Sequence, residues 1–93
     1  MESSKPKPEL LTYDGSLSIE VLLDWINEMD KYFECEEVSE DHRVRFAAMK
    51  LKGHIALWWD NVQNEKKRLN KLPIKTWSRM VATLKGRFLS KYY

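Results

Sequence analysis

The chain has 93 residues, of which 43% are hydrophobic, and its net charge is +2. This length fits a single domain with a small hydrophobic core, since domains commonly contain ~50–200 residues. A single cysteine, Cys35, excludes an intramolecular disulfide, and no apolar run approaches the ~18 residues of a membrane span or forms a secretory signal. We therefore expect a soluble, cytoplasmic domain without a membrane partner.

The small net charge hides a strong segregation along the chain. Residues 1–41 contain three lysines and twelve acidic residues, a net charge of −9, whereas residues 42–93 contain thirteen basic and two acidic residues, a net charge of +11. Three interpretations remain open. The two halves attract each other within the domain, one molecule aligns head-to-tail with the next, or the basic half contacts nucleic acid.

The amino-terminal residues show no helical period. Residues 1–9 combine Ser, Lys and Pro, which predicts a flexible lead-in to a single helical domain over residues 10–93. Residues 10–13 form a short extended segment that ends in a turn at Asp14 and Gly15. We expect this segment to lie across the helices rather than pair into a sheet, because no second strand pattern follows.

Two amphipathic helices follow the turn. The first has Ser16 or Ser18 as its cap, and its apolar positions at spacings of three and four are Ile19, Leu22, Trp25, Ile26, Met29 and Phe33. The second begins after Ser39 and ends at Gly53, a residue suited to the left-handed position that terminates helices. Its faces carry Val44, Ala47, Ala48 and Leu51 on one side, and Phe46 and Met49 on nearly the opposite side.

Two further helices complete the pattern. The third spans about residues 54–69, with Leu57 pointing outward and Ile55, Trp58, Trp59 and Val62 inward. Trp58 and Trp59 flank this stripe, so we expect both to be core residues, one packed on the first helix and the other on the fourth. The fourth begins after the cap Thr76, and its stripe is Trp77, Met80, Val81, Leu84, Phe88 and Tyr92. The predicted fold is an all-α, compact bundle of about four helices.

The usual catalytic and metal-binding patterns are not found in the sequence. There is no serine–histidine–acid set with plausible flanks, no glycine-rich phosphate loop and no paired-cysteine zinc motif. His42 and His54 are isolated and lack the spacing of metal ligands. We predict a protein that is not an enzyme and that has no catalytic residues, no cofactor and no metal.

The ordered set of aromatic and glycine motifs resembles the capsid region of Gag polyproteins from Ty3/gypsy-type long-terminal-repeat retrotransposons. The matching elements, in chain order, are Tyr13-Asp14-Gly15, Trp25, Tyr32-Phe33, Leu51-Lys52-Gly53, Trp58-Trp59, Trp77 and Phe88. They cover nearly all of the chain after the lead-in. The resemblance implies the amino-terminal lobe of a retroviral capsid-like protein, in a retrotransposon or a gene domesticated from one.

The resemblance also implies partners and surfaces. A Gag lobe assembles into particles with copies of itself and the rest of the polyprotein, and the apolar residues off the core stripes would supply contacts: Phe46, Met49, Leu57 and Leu89. In some domesticated relatives the lobe instead binds a short apolar peptide in a groove, which here would involve Leu10, Leu11, Tyr13, Phe33, Trp58 and Trp59. Weak RNA contact is a further alternative, through Lys66, Lys67, Arg68, Lys71 and Lys75.

Overall fold

The computed structural model describes residues 11–92 of the chain, with side chains through residue 87. Over this range the backbone forms four helices, α1 (Ile19–Cys35), α2 (Glu40–Met49), α3 (His54–Arg68) and α4 (Trp77–Tyr92). The predicted all-α, compact bundle is confirmed. None of the helices in the described part of the chain is long and apolar enough to cross a membrane. The predicted lead-in, residues 1–9, lies outside the described residues.

The extended segment before α1 is pinned to the α2–α3 connection. Tyr13 donates its backbone N–H to the Lys50 carbonyl at 3.0 Å and accepts from the Lys52 N–H at 2.9 Å, which makes an isolated parallel bridge with Leu51. The segment does not pair into a sheet, as expected, but this single bridge ties it to the chain after α2. The bridge forms because α2 ends at Met49, so the following residues offer backbone groups that no helix satisfies.

The turn after this segment requires a glycine. Gly15 has φ +86°, and a Cβ there would lie 2.7 Å from Nε2 of His54. The Asp14 carboxylate accepts from the Ser16 N–H at 3.1 Å, and the Tyr13 hydroxyl donates to the Ser16 carbonyl at 2.7 Å. The predicted Asp14–Gly15 turn is confirmed, and it brings the start of α1 against the start of α3.

The helix starts agree with the sequence better than the helix ends. Ser18 caps α1 by accepting from the Val21 N–H at 3.4 Å, and Thr76 accepts from the Arg79 N–H at 3.4 Å. The sequence predicted that Gly53 ends α2, and the structure shows that it does not. With φ +63° it is instead the N-cap residue of α3, because α2 has already ended four residues earlier.

Ser39 precedes α2 as predicted, but its hydroxyl makes no hydrogen bond to the backbone of the first turn. It lies 2.6 Å from Nδ1 of His42 and donates to the Asp41 carboxylate at 3.2 Å. The Asp41 carboxylate also accepts a hydrogen bond from the backbone N–H of Asp41. This bond and the serine hydrogen bond lower the pKa of Asp41. Asp41 thus stays ionised in the first turn of α2, where the helix dipole favours a negative charge.

Trp77, the first residue of α4, joins three helices. Its ring makes edge contacts with Trp25 and Phe33 of α1, at centroid distances of 5.9 and 5.2 Å. The indole N–H donates to Asp30 at 2.5 Å. The backbone N–H donates to the Glu40 carboxylate of α2 at 2.7 Å, so an orphan donor at the helix start is satisfied by a neighbouring helix rather than by a local cap.

Two side chains fix the connections between helices. The Gln63 amide donates to the Ile74 carbonyl at 3.0 Å and accepts from the Ile74 N–H at 2.9 Å, which pairs α3 with the connection that precedes α4. Arg43 donates to the Val38 carbonyl at 2.9 Å, and its guanidinium lies 5.5 Å from the ring centroid of Phe33. These contacts fix the α1–α2 and α3–α4 connections.

The predicted stripes form most of the core. The residues of the α1, α3 and α4 stripes that are buried are Leu22, Trp25, Ile26, Met29, Phe33, Ile55, Trp59, Trp77, Met80 and Leu84. One prediction was wrong, since Ile19 at the start of α1 is 42% exposed. Three other predicted stripe residues, Trp58, Val62 and Val81, are only partly buried but pack against the core. Phe46, expected to lie away from the core, packs partly against it. Phe88 and Tyr92 have side chains outside the described residues.

We expect Gly15→Ala to destabilise the domain by more than about 1 kcal/mol, since alanine is strained at φ +86° and its Cβ would meet His54. Gly86→Ala is the matched control, because a Cβ there has no atom within 4 Å and alanine favours the helix by roughly 0.5–1 kcal/mol. Urea unfolding measures both. Equal stability of the two variants would contradict the required glycine geometry.

The two adjacent tryptophans should differ in their contribution to stability. Trp59→Ala removes a fully buried ring and should cost ~3–5 kcal/mol, which is enough to unfold a marginal domain. Trp58→Ala should cost less, on the order of 1–2 kcal/mol, because part of that ring already faces solvent. Thermal melts followed by circular dichroism would decide this, and loss of the cooperative melt in both variants would place Trp58 in the core after all.

Candidate interaction surfaces

Four of the six residues predicted for a peptide groove lie in the packed core. These are Leu11, Tyr13, Phe33 and Trp59. Trp58 is only partly buried, and Leu10 lies outside the described residues. Tyr13 stacks on Trp25 at a centroid distance of 5.6 Å, and the Trp25 indole N–H donates to the Leu11 carbonyl at 3.2 Å. A peptide could reach this region only by displacing the extended segment, so these contacts close the predicted groove in the present structure.

Tyr13 is held by its electrostatic surroundings as well as by packing. Burial raises the pKa of its hydroxyl, and the nearby positive charge of Arg87 offsets part of that rise. The hydroxyl therefore stays protonated at neutral pH and donates to the Ser16 carbonyl. Its role is structural, since it fixes the turn that leads into α1.

An open apolar cleft lies between the end of α1 and α2. It has a volume of about 340 Å³ and is lined by Tyr32, Val38, His42, Arg45, Phe46 and Met49. Phe46 stacks on Tyr32 at 4.9 Å, the Lys50 ammonium lies 5.3 Å from the Phe46 ring centroid, and Met49 is 71% exposed. We call this surface the α2 cleft. It contains two of the four predicted assembly residues.

The other two assembly residues are placed differently. Leu57 is 68% exposed on α3 and is not part of the α2 cleft, and Leu89 lies outside the residues with described side chains. Sequence reasoning missed Tyr32 and Val38 as cleft residues. The signal for Tyr32 was its place next to Phe33, because adjacent helical positions diverge by ~100° and only one of the pair faces the core centre.

A second cleft lies along the carboxyl-terminal half of α3. It has a volume of about 450 Å³ and is lined by Trp58, Asn61, Val62, Glu65, Lys66, Leu69 and Lys71. The Arg87 guanidinium of α4 lies 5.4 Å from the Trp58 ring centroid. Glu65 forms an ion pair with Arg68. We call this surface the α3 cleft.

Only some of the residues predicted to contact nucleic acid line the α3 cleft. Lys66 and Lys71 line the cleft, whereas Lys67, Arg68 and Lys75 are exposed beside or beyond it. The sequence treated Lys66 as part of a solvated continuation of α3 and Trp58 as core. The structure instead places both in one cleft, because the Trp58 ring is only partly buried.

The charge segregation of the sequence remains visible at the surface. The acidic side chains of α1, such as Glu20, Asp24 and Glu28, are exposed, and the Glu65–Arg68 ion pair lies within α3 rather than between the two halves. Asp30 and Glu40 of the acidic half accept hydrogen bonds from the N–H groups of Trp77 in α4. Much of the opposite charge is thus presented to solvent.

One cluster superficially resembles catalytic machinery. Ser39, Asp41 and His42 lie together in the first turn of α2, with the serine hydroxyl 2.6 Å from the imidazole. The carboxylate of Asp41 accepts from the serine and does not bond the second imidazole nitrogen, so it cannot orient the histidine as a triad acid does. Within residues 11–92, no group of three or more His, Cys, Asp or Glu side chains is arranged to hold a metal ion.

Comparison with known proteins identifies a family. The family model for the N-terminal capsid-like domain of the retrotransposon-derived protein PEG10 matches residues 5–89. A search of curated proteins found no match, and neither did a search of solved structures. The matched span covers most of the sequence, including the described helices through most of α4, and agrees with the ordered motifs and the helical lobe. The chain therefore belongs to the PEG10 N-terminal capsid-like domain family, whose members are structural domains derived from retrotransposon Gag.

Proposed function

We propose that this lobe acts in self-assembly, by packing against copies of itself and the rest of a Gag-type polyprotein in a particle. The observation that carries the proposal is the α2 cleft, an apolar surface that the fold builds but leaves open. Membership in a capsid-like family supports the same role. The protein is then a structural component of the cytoplasm and not an enzyme.

The composition of the α2 cleft suits a protein interface. Interface cores are enriched in aromatic residues and methionine and depleted of charge. Phe46 is held rigid by its stack on Tyr32 and its edge contact with Phe33, at 4.9 and 6.0 Å. Met49 is flexible and highly exposed, so it can adapt to an opposing surface. Phe46 can therefore anchor a partner surface, and Met49 can adjust where that surface does not match closely.

Peptide binding and RNA binding remain alternatives that the sequence raised. Binding a short apolar peptide would require the buried segment around Leu11 and Tyr13 to open, at the cost of the Tyr13 bridge and the Trp25 hydrogen bond. RNA contact would rely on basic residues at the end of α3 and in the α3–α4 connection, where Arg68 is already paired with Glu65. The peptide alternative uses residues that are buried in the core, whereas Lys66 and Lys71 of the RNA alternative line the α3 cleft.

We expect Met49→Glu to weaken self-association of the lobe by at least about tenfold, since a charge in the centre of an apolar contact loses hydration without a partner. Folding should be unaffected, because the side chain is 71% exposed. Leu72→Glu, at a residue 84% exposed on the α3–α4 connection, is the matched control. Sedimentation velocity over a concentration series measures both variants.

The same pair of variants can be tested in the complete polyprotein by counting assembled particles in electron micrographs. We expect fewer particles with Met49→Glu and a normal number with Leu72→Glu. If Met49→Glu associates and assembles like the wild type, the α2 cleft is not an assembly surface.

A further inference from the structure

Assembly through the α2 cleft leaves the α3 cleft without a proposed function. Its floor is apolar, from Trp58, Val62 and Leu69, and its volume of about 450 Å³ is within the ~300–1,000 Å³ typical of ligand pockets. Its lining comes from α3 and the following connection, and no residue of α1 contributes to it. A cleft of this kind needs an occupant that supplies apolar side chains.

The charges around the α3 cleft restrict the choice of occupant. Lys66 and Lys71 line it, and the Arg87 guanidinium lies over Trp58. The one acidic lining residue, Glu65, is paired with Arg68, so its charge is offset locally. The cleft is therefore apolar inside and positive around it, which favours an occupant with aliphatic side chains next to carboxylates.

The start of α1 presents that chemistry on the surface of the same chain. Ile19 and Leu23, one turn apart, are each 42% exposed. Glu20 and Asp24 are also one turn apart and exposed, displaced by ~100° around the helix from the aliphatic pair. We call these four residues the α1 ridge. It belongs to the half of the chain with net charge −9, and the cleft belongs to the half with +11.

We propose that the α1 ridge of one copy docks in the α3 cleft of the next, with Ile19 and Leu23 in the cleft and Glu20 and Asp24 facing Lys66 and Lys71. This deepens the proposed assembly function and rests on it. The contact joins two different surfaces, so it is heterologous. Such contacts propagate into rings or filaments, whereas a self-complementary patch stops at a dimer.

RNA is a less suitable occupant of this cleft. Trp58 is the one aromatic among its lining residues, while sequence-tolerant binding of single strands uses successive aromatic rings along a basic groove. The Trp58 ring is also already approached by Arg87. The aliphatic walls from Val62 and Leu69 match aliphatic side chains better than they match the polar edges of bases.

Reciprocal charge reversal tests the proposal. One variant reverses the cleft, Lys66→Glu with Lys71→Glu, and a second reverses the ridge, Glu20→Lys with Asp24→Lys. Lys67→Glu with Lys75→Glu is the matched control, because it makes the same charge change outside the cleft lining. Association is measured by sedimentation velocity at ~0.05 M salt, where screening is weak, and circular dichroism verifies folding of each variant.

Each reversed variant alone should associate at least about tenfold more weakly than the wild type, because like charges then face each other. An equimolar mixture of the two should recover association, since each supplies the complement of the other. The control should behave as the wild type does. In the mixture, and in the wild type, the indole resonance of Trp58 should shift with concentration in NMR spectra, and a Trp58→Phe variant identifies that resonance.

Several outcomes would overturn the proposal. If either reversed variant associates as strongly as the wild type, or if the mixture does not recover association, these two surfaces do not meet. If Met49→Glu still weakens association in that case, the proposed assembly function stands and only the docking contact is wrong. Binding of a single-stranded RNA oligonucleotide that is lost in the cleft variant, with self-association unchanged, would assign the cleft to RNA. A wild-type lobe that never associates would remove both the docking contact and the assembly function.

Discussion

The contacts of Trp77 are the constraint on which the rest of this fold depends. One residue places its ring against Trp25 and Phe33, its indole N–H on Asp30 and its backbone N–H on Glu40. These contacts fix where α4 begins relative to α1 and α2. The stripe that follows, including Met80 and Leu84, is then buried along its length. A domain of this size has few such residues, so one junction decides the arrangement of three helices.

That junction also explains what is left at the surface. Asp30 and Glu40 are used by Trp77, but the acidic side chains earlier in α1 point away from the bundle. The Trp58 ring is only partly buried and lines the α3 cleft together with Lys66. The lobe therefore has a well-packed interior together with an open α2 cleft, an acidic α1 ridge and a basic-rimmed α3 cleft. Surfaces of this kind suit a unit that assembles with copies of itself.

The sequence predicted the elements and core stripes because spacings of three and four define a helical face without knowledge of neighbours. It could not predict how far a neighbouring helix reaches, and for that reason Ile19 and Trp58 were assigned to the core. Contacts between distant segments were also out of reach: nothing local to Gln63 indicates Ile74 as its partner, and nothing local to Glu40 indicates Trp77. The α3 cleft was missed for the same reason, since its lining combines residues predicted as core and as solvent-exposed.

The central claim is that the lobe presents opposite charges and apolar clefts to its own copies. Sedimentation equilibrium of the wild-type lobe across salt concentrations tests this claim most directly. We expect association that rises with protein concentration at low salt. We also expect weaker association as the Debye length falls from ~10 Å at 0.1 M to ~3 Å at 1 M. A lobe that stays monomeric at millimolar concentration in low salt would contradict the account.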